Sequence, residues 1–356
     1  MHKSLISQSY LYFVIYLAFT GMFSCSRHIE RPIPDVSHII LDSIHIERFD
    51  RDLQKINEQN AATLHQDFKT RYGHFYEDYI EQILKIGSVG DDSYIEAILP
   101  AISSQAEFQQ LADTIALVFP NLEQQEEQLT DAFKRVRHYL PENPIPARII
   151  AFFSGFAVQI PIGADYMGIG LDLFLGENST YYPDLAPTFP RYMSAQFTPG
   201  NIVPRLMMAY IQDACLAQEP TGGTFLDLML YHGKALYLMD LFLPFTPDRL
   251  KMGYTDRQHA WAVHFQHAIW DWMIDEQMLF LTDVSLHHKH FGEAPFTAEL
   301  GEHNDSAPKL GAFMGWQMVR KYMQVHPKTT VQELIEYADS QTFLQEANYQ
   351  GDFRTP

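Results

Sequence analysis

Two clusters of histidine and carboxylate are the groups in this chain best suited to hold a metal ion. His264, His267 and Asp271, with Asp275 beyond them, recur at i, i+3, i+7 and i+11, a spacing that sets all four on one face of a helix. They border an apolar stripe of Trp261, Phe265, Ala268, Trp272 and Leu279, so they read first as the polar edge of a packed aromatic face. Zinc also takes a third or fourth ligand from elsewhere. His264, His267 and Asp271 are therefore metal candidates only, and no cofactor is expected. The second cluster, His287-His-Lys-His290 with Glu293 and His303, could bind metal adventitiously, but reads first as a solvated loop. A zincin-type peptidase needs His-Glu-x-x-His on one helix, so that two imidazoles reach zinc and the Glu serves as general base. No such run occurs. The stretch from Val203 to Asp213 has neither His nor Glu, and His232-Gly-Lys-Ala-Leu236 has one His without the Glu or the second His. No Ser nucleophile elbow, phosphate loop or dinucleotide fingerprint is present either. No catalytic residue is expected.

Two further side chains call for partners. Lys234 lies in an apolar helical stretch, where a lysine either snorkels outward or pairs with a carboxylate. Asp227, seven residues earlier on the same face, is the expected partner. Cys215 lies in the hydrophobic run from Ile211 to Leu216 with no nearby His, and reads as a small buried residue.

The elements that must position these groups are mainly helical. Alternation from Ile40 through Ile44, Ile46 and Phe49 predicts a strand within 38–50. Helices are predicted over Tyr72–Ile86, Gln105–Phe119, and from Asn121 to Leu140, the last with an apolar stripe of Leu122, Leu129, Phe133, Val136 and Leu140. Short apolar segments at 148–153, 156–160 and 168–175, separated by Gly and Pro, predict a small mixed sheet. A long loop over 176–200 follows. Helices are then expected over 203–216, 224–243, 255–280 with a Thr255/Gln258 capping box, 310–325, and after Thr330 with Glu333. A second loop spans 281–307. The fold class is α+β, mainly α-helical with a small mixed β-sheet.

The N-terminus sets the compartment. Lys3 precedes an apolar run from Tyr10 to Phe23, and Ser24 and Cys25 follow at once, the parts of a secretory signal with a lipidated cysteine as mature residue one. The run is shorter than the roughly 20 residues of a spanning helix. Residues 1–24 thus read as a lipoprotein signal peptide, with an uncleaved anchor helix as the alternative; Cys25 reads as the lipidation site and 25–37 as a tether, with Arg31-Pro-Ile-Pro34 stiff and extended. Residues 38–350 form a single domain: a helical part at 38–146, the sheet at 147–175 and a second helical part at 200–350. Net charge is −19, with 44 acidic against 25 basic residues, a balance that repels phosphates and anionic head groups and argues against nucleic acid as a partner. The lipid, not electrostatics, must hold the chain to its membrane. The residues after Cys25 lack an acidic export tract, which places the protein on the periplasmic face of the envelope.

Several segments resemble one family. Ile149-Ile-Ala-Phe-Phe-Ser-Gly-Phe156, Gly168-Ile-Gly-Leu-Asp-Leu-Phe-Leu-Gly-Glu-Asn-Ser179, Tyr231-His-Gly-Lys-Ala-Leu-Tyr-Leu-Met-Asp-Leu-Phe-Leu-Pro244, Ala294-Pro-Phe-Thr297 and Ser306-Ala-Pro-Lys-Leu-Gly-Ala-Phe-Met-Gly-Trp-Gln-Met-Val-Arg-Lys-Tyr-Met323 are similar to the GldB family of gliding-motility lipoproteins of Bacteroidetes. The resemblance runs to about Tyr349. It implies a degenerate zincin-like fold with the metal motif lost, no established activity, and a membrane-anchored envelope lipoprotein required for gliding and the linked secretion machinery, with protein partners there. His232 departs from the family pattern, which tends to an aromatic or acidic residue. The old peptidase cleft would be walled by 168–200, 203–216 and 224–243, with Asp172, Tyr210, Asp213 and Lys234 as binding candidates. The competing expectation is a zinc-dependent hydrolase using His264, His267 and Asp271.

Overall fold

The computed structural model describes residues 32–301 and 304–351. Cys25, with the signal and most of the tether, and His303 lie outside the described residues. Three strands, β1 (Ile46–Arg48), β2 (Arg148–Phe152) and β3 (Tyr166–Gly170), pair in that order, and both pairings are parallel. Ile149 of β2 stands opposite Ile46 on one side and Met167 on the other. The three strands of the expected mixed sheet are therefore parallel, and antiparallel pairing enters where 159–163 folds back on β3, with a bridge between Ile162 and Met167. Parallel neighbours need a crossover, and the one from β1 to β2 carries the whole N-terminal helical part. Parallel strands are buried on both faces. Accordingly β3 and all of β2 after Arg148 are buried.

The predicted strand over 38–50 shrinks to three residues, and Ile40 is 97% exposed. The amide of Ile44 donates to Thr130 Oγ1 (2.9 Å) and that of Ile46 to Glu126 Oε1 (2.8 Å), so helix side chains and not another strand close this edge. The predicted strand at 156–160 becomes a segment folded back on β3, where Gly168 and Gly170 donate to the carbonyls of Pro161 and Gln159, both at 2.8 Å. A Cβ on Gly170 would strike the Val158 carbonyl, which explains glycine there. The strand predicted to reach 175 ends at Gly170, because Leu171–Phe174 is a tight 3₁₀ turn.

Four long helices fill the first crossover: α1 (Ala61–Tyr72), α2 (Asp92–Ser103), α3 (Ala106–Val118) and α4 (Glu123–Tyr139). The predicted helix over 72–86 is interrupted at Gly73 (φ 50°) and resumes as short turns at His74–Asp78 and Tyr79–Ile83. Phe49, Phe68, Tyr72, Phe75 and Tyr79 form an aromatic cluster, edge-to-face around Phe49 with Phe75 stacked on Tyr79; Phe49 and Tyr79 lie at 4.8 Å and Phe75 reaches Phe152 of β2 at 5.4 Å. This cluster joins the helices to the sheet.

The C-terminal part holds α5 (Ile202–Tyr210), α6 (Phe225–Phe242), α7 (Asp256–His264), α8 (Gln266–Asp275), α9 (Val284–Phe291), α10 (Leu310–Val325), α11 (Val331–Glu336) and α12 (Ser340–Ala347). The capping boxes at Thr255/Gln258 and Thr330/Glu333 form as predicted. The predicted helix over 255–280 breaks at Phe265 and ends at Asp275, and the predicted loop over 281–307 contains α9. The loop over 176–200 carries short turns at Tyr182–Leu185, Arg191–Ser194 and Pro199–Asn201. α6 is apolar nearly all round and central, as a helix of that composition must be. α10 lies against it at a glycine contact: a Cβ on Gly233 would meet the Gly315 carbonyl, and one on Gly315 the Met229 carbonyl. Among the described residues, no helix is long and apolar enough to cross a membrane.

Candidate functional site

The four residues expected to converge on a cleft do not. Asp172 is fully buried in the turn after β3, where its carboxylate accepts from the Ser154 amide (3.1 Å), the Ser154 hydroxyl (3.1 Å) and the Phe156 amide. Burial pushes its carboxyl above the ordinary value against those donors. Tyr210 donates to the Pro144 carbonyl at 2.8 Å. Asp213 is exposed. Lys234 donates to the carbonyls of Ile335 (3.0 Å) and Tyr337 (2.5 Å), not to Asp227. Asp227 instead caps its own helix at Thr224 and accepts from Ser340 Oγ at 2.5 Å. The i+7 spacing was right for one helix face, but the nearest acceptors come from a segment a hundred residues later. Cys215 is buried and its thiol pushed up to about 12, as fits a packing role.

The metal candidates are likewise dispersed by their own contacts. His264, His267 and Asp271 are exposed; His267 Nδ1 faces the Gln350 carbonyl at 3.1 Å and Nε2 lies 3.6 Å from Asp271. Among the described residues, no three His, Cys, Asp or Glu side chains are grouped to hold a metal. The 287–290 run is helical, not a loop, and its histidines diverge. His290 is wholly buried between Phe225 and Trp272, and burial pulls its imidazole down to about 4. His287 and His288 line a hollow of about 410 Å³ with Glu219 and His232.

The side chains that do converge lie on the other side of His232. A cleft of about 190 Å³ is walled by α5, α6, the turn at Leu250–Gly253, Phe291 and the start of α10. Of the positions a His-Glu-x-x-His run would use on α6, His232 and Leu236 face this cleft, while Gly233 is pressed against α10. The His232 ring stacks on Phe291 at 4.9 Å, and its Nε2 lies 3.4 Å from Glu219, an electrostatic contact rather than an aligned hydrogen bond. At the cleft wall Glu293 Oε1 accepts from Lys309 Nζ (2.9 Å) and lies 3.5 Å from Arg205 Nη1; its Oε2 accepts from Gln196 Nε2 (3.4 Å). Gln196 Oε1 in turn accepts from Arg205 Nη2, and Lys309 also donates to the Met252 carbonyl at 2.6 Å. Burial would raise the Glu293 carboxyl, but Lys309 and Arg205 outweigh it and hold it at about 2. Burial pulls the Lys309 ammonium below its ordinary value, with Glu293 pulling back.

A second ionic network supports this wall. Asp240 on α6 accepts from Arg320 Nε (2.7 Å) and Nη2 (2.8 Å), from Trp316 Nε1 (2.9 Å) and from Lys251 (2.7 Å), and Arg320 Nη1 reaches Asp248 at 2.8 Å. The guanidinium lies 3.7 Å over the Trp316 ring. Compared with models of protein families, residues 30–351 match gliding motility protein GldB. The chain belongs to the GldB family. No curated protein and no solved structure matches it. Membership gives the chain a role in gliding motility.

In this GldB-family chain the cleft draws on the segments quoted above at 231–244, 306–323 and just before Ala294, yet Arg205 and Lys309 carried no signal as site residues. Their partner Glu293 is 88 residues from one and 16 from the other. One cue was available: a lysine directly before an apolar helix that lacks an acidic cap.

Proposed function

We propose that this chain is a non-catalytic, lipid-anchored envelope protein, facing the periplasm, that binds a protein partner of the gliding and linked secretion machinery in the His232–Arg205–Lys309 cleft. One observation carries the reading. The α6 face of a zincin-type site would present two imidazoles and a carboxylate, and here it presents one imidazole, a glycine pressed on α10 and an apolar leucine. Two cations, an amide and a carboxylate in mutual contact at the cleft support a binding role. Family membership supplies the machinery, and Cys25 after Ser24 supplies the anchor.

The test is genetic. In a gliding host, deletion should abolish spreading and the linked secretion; a wild-type copy should restore both, and a Cys25→Ala copy should restore neither. Normal gliding and secretion after deletion would remove the role. Full rescue by Cys25→Ala would remove the anchor.

A further inference from the structure

Charge in the cleft is not balanced. The Arg320 and Lys251 network sets two cations against Asp240 and Asp248. The cleft wall sets two cations, Arg205 and Lys309, against Glu293, and among the described residues Glu293 is the only carboxylate within ion-pair distance of either. One positive charge is left over in a half-buried site, in a protein whose net charge is −19. Two cations that share one carboxylate are incompletely compensated, and a ligand anion would complete the pairing. The surroundings fit one. Lys309 sits at the N-cap of α10 with no side-chain cap on the helix's first turn, so the helix end adds partial positive charge. The cleft also offers an apolar wall of Met208, Leu236 and Ala312, alongside Gln212 and His232.

We propose that the cleft is a carboxylate-binding site, in which Arg205 and Lys309 hold the anion and the apolar wall holds its aliphatic stem. About 190 Å³ accommodates one side chain or the last residue of a peptide. The natural ligand is then a peptide segment of the partner that ends in, or projects, a carboxylate. This deepens the proposed partner-binding reading and rests on it.

The experiment titrates the full chain, in detergent, with three probes by calorimetry: N-acetyl-leucine, its amide, and N-acetyl-aspartic acid α-amide; inorganic phosphate is the control anion. A carboxylate probe that binds, while the neutral amide binds at least tenfold more weakly, supports the site. N-acetyl-leucine as the tighter acid assigns a chain terminus, and the aspartate derivative an internal acidic residue. Arg205→Gln should weaken the acid at least tenfold, and added salt should weaken it in wild type. Equal binding of acid and amide, binding unaffected by Arg205→Gln, no binding at all, or phosphate tighter than either carboxylate would each overturn the assignment. Because Arg205 is partly exposed, its variant should fold, and the salt dependence is read on the wild type in any case. A deletion strain that glides and secretes normally would remove the partner-binding reading. A strain carrying Arg205→Gln that glides normally, with no carboxylate bound in vitro, removes only this inference.

Discussion

Asp172 is a buried carboxylate and Glu293 a half-buried one, and their surroundings push them in opposite directions. Asp172 faces N–H and O–H donors but no cation, so its removal leaves the amides of Ser154 and Phe156 without an acceptor. An unsatisfied buried donor costs about 1–3 kcal/mol. Asp172→Ala should therefore lower unfolding free energy by about 2–4 kcal/mol in urea melts, with the 154–156 turn loosened; a change below the error of the melt would show that the turn does not depend on it. Glu293 is held by two cations at about 2, below its ordinary value of 4.5. A carboxyl depressed on folding contributes stability above its unfolded value and loses it as pH falls toward the folded value. The contribution is about 3 kcal/mol at neutral pH. Wild type minus Glu293→Gln should therefore show a stability difference that is constant above pH 5 and shrinks between pH 4.5 and 2. A difference independent of pH over that range would mean that Glu293 is not the ionised partner of Lys309 and Arg205.

The pair α6 and α10 is where element and sequence speak to each other most directly. Alanine is worth about 1 kcal/mol more than glycine in a helix interior, so Gly315→Ala would stabilise an isolated α10. In the protein the new methyl meets the Met229 carbonyl, and overpacking of this kind costs about 1–3 kcal/mol. Packing should win: Gly315→Ala is expected to lower the melting temperature by several degrees, and a higher melting temperature would mean that the helices part freely. The same comparison explains what was legible in the sequence. Capping boxes at Thr255 and Thr330, the buried character of α6 and the stripe on α4 are local patterns, and all appear where expected. The direction of the strands was not legible, because it is decided by segments distant in the chain; the helix at 284–291 did carry a local cue, its Asp283 cap, which the histidine run obscured. Nor was the site legible: Lys234 left its expected partner for the carbonyls of Ile335 and Tyr337, and the cleft wall is an encounter of residues 196, 205, 293 and 309.

At the scale of the whole molecule, the question is whether a metal enters anywhere. The groups that sequence spacing favoured, His264, His267 and Asp271, stand exposed on α7 and α8, on either side of the break at Phe265. Full-length protein purified without a histidine tag should carry far less than one zinc per chain, and chelation should leave its melting temperature unchanged. Stoichiometric zinc lost in His267→Ala would install the hydrolase reading in place of the binding one. The overall charge of −19 predicts in turn that the described body by itself will not bind anionic vesicles.

The hold of Lys234 on residues 335 and 337 has a consequence in time as well as in space. The central helix of the C-terminal half cannot settle its one buried ammonium until a segment 101 to 103 residues further on has arrived. β1 likewise waits about a hundred residues for β2. Folds built from such distant encounters form slowly. Closure of the C-terminal half therefore comes late in synthesis, once residues 335 to 337 have left the ribosome, whereas β1 can meet β2 much earlier.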